Sequence, residues 1–317
     1  MSSTCDAPSK PAGPTASANV AKGMIWASVA GLCFVLLNTV MRQMAIDMPP
    51  VQALFLRYAA GALVWLPWLI RDGPRQYKSN FFLGQLARGV VHTAGLAIWF
   101  TALPHLPLAY TTAIGFTGPI FIMLGASWFL GERMVAARWI AVGLGFVGVL
   151  VIVGPKLGAG NAVYSLLMLA AAPVFAGSFL IAKMLTRHDR PEVIVFWQSV
   201  WVSLLSLPFA FWLWVEPSPI QWAWVLVAGM LGSLGHWCLT RAYVIADISA
   251  AQPVKFLDLV WATGMGFIIF GDTPAVATLL GGALIVIGTI WAARREAAAR
   301  LPLQSAVHSN PPKGDDS

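Results

Sequence analysis

Charge is what this sequence has least of. Only 10% of its 317 residues are Asp, Glu, Lys or Arg, against about 25% in a soluble domain. So few charges cannot cover a water-facing surface, so the chain's solvent is largely lipid. Cysteine is scarce as well. Cys5, Cys33 and Cys238 form no close-spaced motif, which excludes a disulfide framework and a thiolate metal centre. No His pair has zinc-ligand spacing, so no metal is expected. No GxxxxGK[ST] loop is present, so direct ATP coupling is unsupported. No nucleophile constellation marks an enzyme, and no cofactor is implied. The first twenty residues, rich in Ser, Ala and Pro, lack the apolar core of a secretory signal peptide.

What the chain has instead is hydrophobicity: 58% apolar residues and a mean hydropathy of +0.73. Ten apolar stretches fall at roughly 22–40, 51–70, 81–103, 108–130, 137–154, 161–182, 193–214, 220–240, 249–270 and 276–293. Each has about the 17–25 residues that cross a bilayer as a helix, and all are too long for barrel strands. Residues 1–21 and 296–317 read as disordered tails.

Basic residues set the orientation. With the N-terminus in the cytoplasm, fifteen of the twenty Lys and Arg fall on cytoplasmic segments, and Arg42 and Lys156 alone lie opposite. Both termini are then cytoplasmic. This bias accounts for the net charge of +7 without a nucleic-acid partner. The chain is expected in the cell (inner) membrane, with the lipid bilayer around it. Tryptophans near span ends, such as Trp65, Trp68, Trp212 and Trp222, suit interfacial belts.

A shift of 140 residues superposes Gly89 on Gly229, Gly95 on Gly235, Gly131-Glu132 on Gly271-Asp272 and Gly148 on Gly288. One register without gaps indicates duplication. Five spans per half force the halves into opposite orientations, the inverted-repeat plan of secondary transporters. The fold class is therefore all-α integral membrane, ten transmembrane helices as two inverted five-helix repeats, residues 22–156 and 157–295.

Three stretches carry a more specific likeness: "LRYAAGAL" at 56–63, the run from Gln85 to Pro155, and the run from Cys238 to Trp291. They include the Ala-x-x-x-x-Pro-Leu-Ala turn from Ala102 to Ala109, then Pro119 and the Gly-Glu end of span four. The sequence resembles the EamA-type branch of the drug/metabolite transporter superfamily over about residues 22–293. The resemblance implies a cavity lined by spans three, four, eight and nine with parts of one and six, and a small-metabolite substrate. The second acidic position departs from the pattern in being Asp272 rather than Glu.

Candidate site residues follow from polarity inside the spans. Lys255 and Asp258 sit three apart on span nine, about 60° apart on one helix face. Intramembrane charges are functional by default, so the pair is expected to line the cavity; a structural ion pair is the other reading. Pro253 before them would free a backbone carbonyl. Arg88 and His92 share a face of span three that continues through Trp99. His236 follows Gly235 on span eight, where a packing hydrogen bond is the blander role. Tyr110 and Thr111 on span four and Gln252 on span nine complete the substrate-binding set. Arg57 is expected to snorkel to the interface. Glu132 and Asp272 are expected to close turns by binding amides of the following helix. Gly143, Gly145, Gly148, Gly281, Gly282 and Gly288 make spans five and ten small-faced, suiting tight packing or a homodimer seam.

Both charge signs near the cavity point to a small zwitterion, such as an amino acid or derivative, moved by alternating access. The alternative is a lipid-phosphate flippase of the same fold.

Overall fold

The computed structural model describes residues 16–44, 48–102, 105, 114–132, 135–153, 162–270, 276, 279–288, 290–291 and 294–295. All regular structure among these is helical, as lipid requires of a backbone that must satisfy itself. Span one is Ala16–Met44, beginning in the segment expected as tail. Span two is Pro50–Val64 continued by Leu66–Asp72, with a break at Trp65 ahead of Pro67. Spans three to eight are Phe82–Ala102, Gly118–Leu130, Ala136–Val153, Ala162–Leu185, Pro191–Trp212 and Pro219–Ile245. Span nine is fragmented: a 3-10 turn Ser249–Ala251, then Gln252–Lys255, then Leu257–Phe270. Span ten is described over Leu279–Gly288.

Local sequence sets these boundaries. Proline opens spans two and seven, where its missing N–H is one the first turn never uses. Span eight opens on a capping box between Ser218 and Gln221. Gly131, at φ +66°, ends span four in a left-handed conformation that side chains resist.

The packing repeats the duplication seen in the sequence. Span one packs on span eight and span six on span three; span two meets both seven and eight, and span three also meets seven; span four packs on six, and nine on one. Exchanging each span with its counterpart five later leaves this set unchanged, as a pseudo-two-fold axis demands. The paired glycines obey it too. Gly89 lies against Trp201 and Gly229 against Gly61, and Trp201 is Gly61 shifted by 140. A methyl on Gly95 would meet Phe175 at 3.0 Å, and one on Gly235 would meet Phe34 at 2.9 Å.

Spans five and ten pack on each other within the chain. A methyl on Gly148 would fall 2.7 Å from Ile285, and one on Gly288 would fall 3.2 Å from Leu144. Gly145 is occupied by Phe256. These glycines serve internal packing. Gly143 and Gly282, which meet nothing within 4 Å, are what remains of the small-residue faces for a contact between copies.

Candidate functional site

The centre of the molecule is a polar, aromatic belt where spans one, two, three, six, eight and nine meet. Span nine contributes the ion pair. Its helix breaks at Phe256 between Lys255 and Leu257, and Lys255 Nζ donates to Asp258 Oδ2 at 2.7 Å. The side chains are 27% and 19% exposed, so the pair is neither sealed nor turned out to lipid. Lys255 Nζ also lies 5.4 Å from the Phe34 ring centroid, a favourable place for a cation. Gly31 lies flat against the Asp258 carboxylate. Pro253 sits in the first turn of the short helix Gln252–Lys255 rather than interrupting one.

Span three contributes His92, and its partners lie far away in sequence. Its Nε2 is 2.9 Å from the Tyr58 hydroxyl and its Nδ1 is 3.1 Å from Ser178 Oγ. A neutral imidazole suits this arrangement, one nitrogen donating and the other accepting. The chain of bonds joins spans two and three to span six, and so links the two repeats. Around it stand Phe175 at 5.5 Å, His236 at 5.7 Å and Tyr58 at 6.1 Å between ring centroids. His236 in turn stacks edge-on against Phe34 at 4.9 Å. Its Nδ1 has no hydrogen-bond partner among the described residues, so the packing hydrogen bond expected there is not made by that atom.

Arg88 is buried and donates from Nη1 to the Ile194 carbonyl at 3.2 Å. Arg57 differs from expectation. It does not snorkel; it is buried, its guanidinium lies 4.3 Å over the Tyr58 ring, and it presses on Gly232 in the middle of span eight. The absence of a side chain at Gly232 makes that room.

The structure therefore gathers Lys255, Asp258, Arg88, His92 and His236 around the centre. Trp99 stands a layer away, 6.3 Å from Phe175 and beside Met168 and Tyr164. Gln252 turns back into its own backbone, donating to the Ile248 carbonyl at 2.7 Å. Tyr110, Thr111 and Asp272 lie outside the described residues. Sequence reasoning missed Tyr58, Ser178, Phe34 and Phe175. Tyr58 was within reach, since it falls in the "LRYAAGAL" stretch; the others are single polar or aromatic residues in apolar helices.

At the end where spans four, six and eight finish, a second polar cluster ties the repeats together. Glu132 accepts from the Ile248 and Ser249 amides at 2.9 and 3.1 Å and from Ser249 Oγ at 2.5 Å. It caps span nine of the other repeat, not the helix that follows it. Arg138 donates to Ser249 Oγ and pairs with Asp247 at 3.0 Å. Lys183 donates to the Tyr243 and Ala246 carbonyls. A cleft of about 380 Å³ lies here, lined in part by Glu132, Lys183, Arg187, Tyr243 and Asp247.

Two segments, residues 21–154 and 163–294, match the EamA-like transporter family. The chain belongs to that family. It is 35% identical over 281 residues to a riboflavin transporter of Rhizobium johnstonii, covering 86% of this chain and 91% of that one. It is 27% identical over 274 residues to the pseudopaline exporter CntI of Pseudomonas aeruginosa, covering 86% and 96%. It is 27% identical over 269 residues to an S-adenosylmethionine uptake transporter of Rickettsia prowazekii, covering 82% and 91%. A solved crystal structure, 18% identical, superposes with a TM-score of 0.76 over 86% of this chain and 97% of that one, and so shares the fold. This EamA-like protein is a multi-pass membrane transporter of a small molecule.

Proposed function

We propose that this transporter moves a planar aromatic metabolite of the flavin type across the cytoplasmic membrane by alternating access. The observation that carries the reading is the belt of Tyr58, His92, Phe34, Phe175 and His236, whose neighbouring ring centroids stand 4.9–6.5 Å apart in the middle parts of their helices. Such a belt offers faces for stacking and hydroxyl and imidazole groups for a ring's polar edge. The similarity to a riboflavin transporter supports the same class. Rocking of one repeat against the other would expose the belt to each side in turn, with the Glu132 and Lys183 ties closing one side.

A second reading rests on the Lys255–Asp258 pair, which with Arg88 suits a zwitterion. In this state the two charges are satisfied by each other at 2.7 Å, so a zwitterion would first have to separate them. Counterflow of labelled riboflavin in proteoliposomes containing the purified protein tests the choice. Uptake driven by internal riboflavin, and abolished in Tyr58→Ala, is the expected result. Uptake of amino acids with no flavin uptake would transfer the assignment to the zwitterion.

A further inference from the structure

Two arginines buried inside the described part of the bundle have no carboxylate partner there. Arg57 is 9% and Arg88 1% exposed, and neither forms an ion pair with a described residue. The Nε atoms of both lack hydrogen-bond partners among the described residues, as does Nδ1 of His236. Lys255 has Asp258; Arg57 and Arg88 have only a ring face and one carbonyl. Among the described residues, neither arginine has a carboxylate within ion-pair distance, and Glu192, two residues from Ile194, accepts from the Trp237 indole instead.

Snorkelling does not resolve this for Arg57. Its guanidinium rests on Gly232, midway along Pro219–Ile245 and about 20 Å from either end at 1.5 Å per residue. An unpaired guanidinium at such depth is costly, and buried charges persist where something pairs with them. Gly232 and His236 lie one helical turn apart on span eight, so the Arg57 guanidinium and the His236 side chain share a face. Lys255 stands across the Phe34 ring from His236, with Nζ 5.4 Å and the imidazole 4.9 Å from that ring's centroid.

We infer that the substrate carries an anionic oxygen group, carboxylate or phosphate, held between Arg57 and His236, with Arg88 and Lys255 adding to the attractive field. This rests on the transport reading above and narrows it: within the flavin class, a phosphorylated flavin fits better than the neutral vitamin. The bland alternative, that Arg57 only props span two on span eight, predicts no selectivity among ligands.

The test is ligand binding to the purified full-length protein in detergent, by thermal shift and titration. The probes are riboflavin, riboflavin 5′-phosphate, inorganic phosphate, benzoate and a polyprenyl phosphate. Wild type is compared with Arg57→Gln, Arg57→Lys and His236→Phe. Riboflavin 5′-phosphate is expected to bind wild type at least about tenfold more tightly than riboflavin, the scale of one charge-assisted hydrogen bond. That preference should vanish in Arg57→Gln and partly return in Arg57→Lys, which also shows that the fold tolerates the site. Equal binding of the two flavins to wild type would overturn the inference and leave the flavin reading intact. Arg57-dependent binding of benzoate, without any flavin binding, would sustain the anion site and remove the flavin. Arg57-dependent binding of polyprenyl phosphate alone would sustain the site and make its source a lipid. If wild type, stabilised by riboflavin, ignored every anion, the inference would fall.

Discussion

Gly31 has no room for a side chain, and the reason is a contact with another span rather than a turn. The Asp258 carboxylate occupies the space where a Cβ would go. Gly31→Ala should displace that carboxylate from Lys255, lower the melting temperature and abolish transport. Gly143→Ala and Gly282→Ala, facing open space, should leave transport unchanged and stability within about 1 kcal/mol of wild type or slightly above it. Loss of transport in all three would show that helix glycines matter here for flexibility, not for contact with Asp258. His92 makes a second prediction at this scale. His92→Phe strands the Tyr58 hydroxyl and Ser178 Oγ, at a cost of about 1–3 kcal/mol for buried polar groups left unmade. Chemical denaturation in detergent would measure it; an unchanged midpoint would mean that water replaces the ring. The Lys255–Asp258 pairing was legible because both partners lie on one helix. The partners of His92 are 34 and 86 residues away, and no local pattern could name them.

At the scale of elements, the start of span nine is held by the first repeat. Glu132 satisfies two of the orphan amides that any helix start leaves, and Arg138 fastens the same turn through Ser249 and Asp247. The reading of Glu132 as an amide-binding residue finds amides, but on span nine, because the pseudo-two-fold axis brings the fourth span's end to the ninth span's beginning. Glu132→Ala should cost about 1–3 kcal/mol and loosen that closure. A cysteine placed at Ala251, buried in the native protein, should then react faster with a membrane-impermeant thiol reagent added on the side where spans four and eight end. Equal reaction rates with and without Glu132→Ala would separate the cap from the closure. Asp189 fastens another loop, accepting from Ser79, Asn80 and Gln85. Gln85, one turn before Arg88 on span three, is spent there.

For the whole molecule, the testable property is orientation. Fifteen basic residues on one side against two on the other predict both termini in the cytoplasm. A green fluorescent protein joined after Ser317 should fluoresce, and an alkaline phosphatase joined there should be inactive; the reverse pair of results would invert the topology. The whole-molecule pattern also shows in the packing: one on eight and six on three, two on eight and three on seven, and four on six and nine on one come as mates.

The sequence alone determined what depends on solvent and on period: a lipid-embedded chain, ten spans, a duplication at 140 residues, and one charged pair on one helix face. These are legible because hydropathy and register are written along the chain. Tertiary structure decided the rest. It turned Arg57 inward onto Gly232, joined His92 to Tyr58 and Ser178, and packed Gly148 and Gly288 between spans five and ten. Each of those outcomes depends on which face of a helix meets another helix, and in an apolar span nearly every face looks alike until the bundle is assembled.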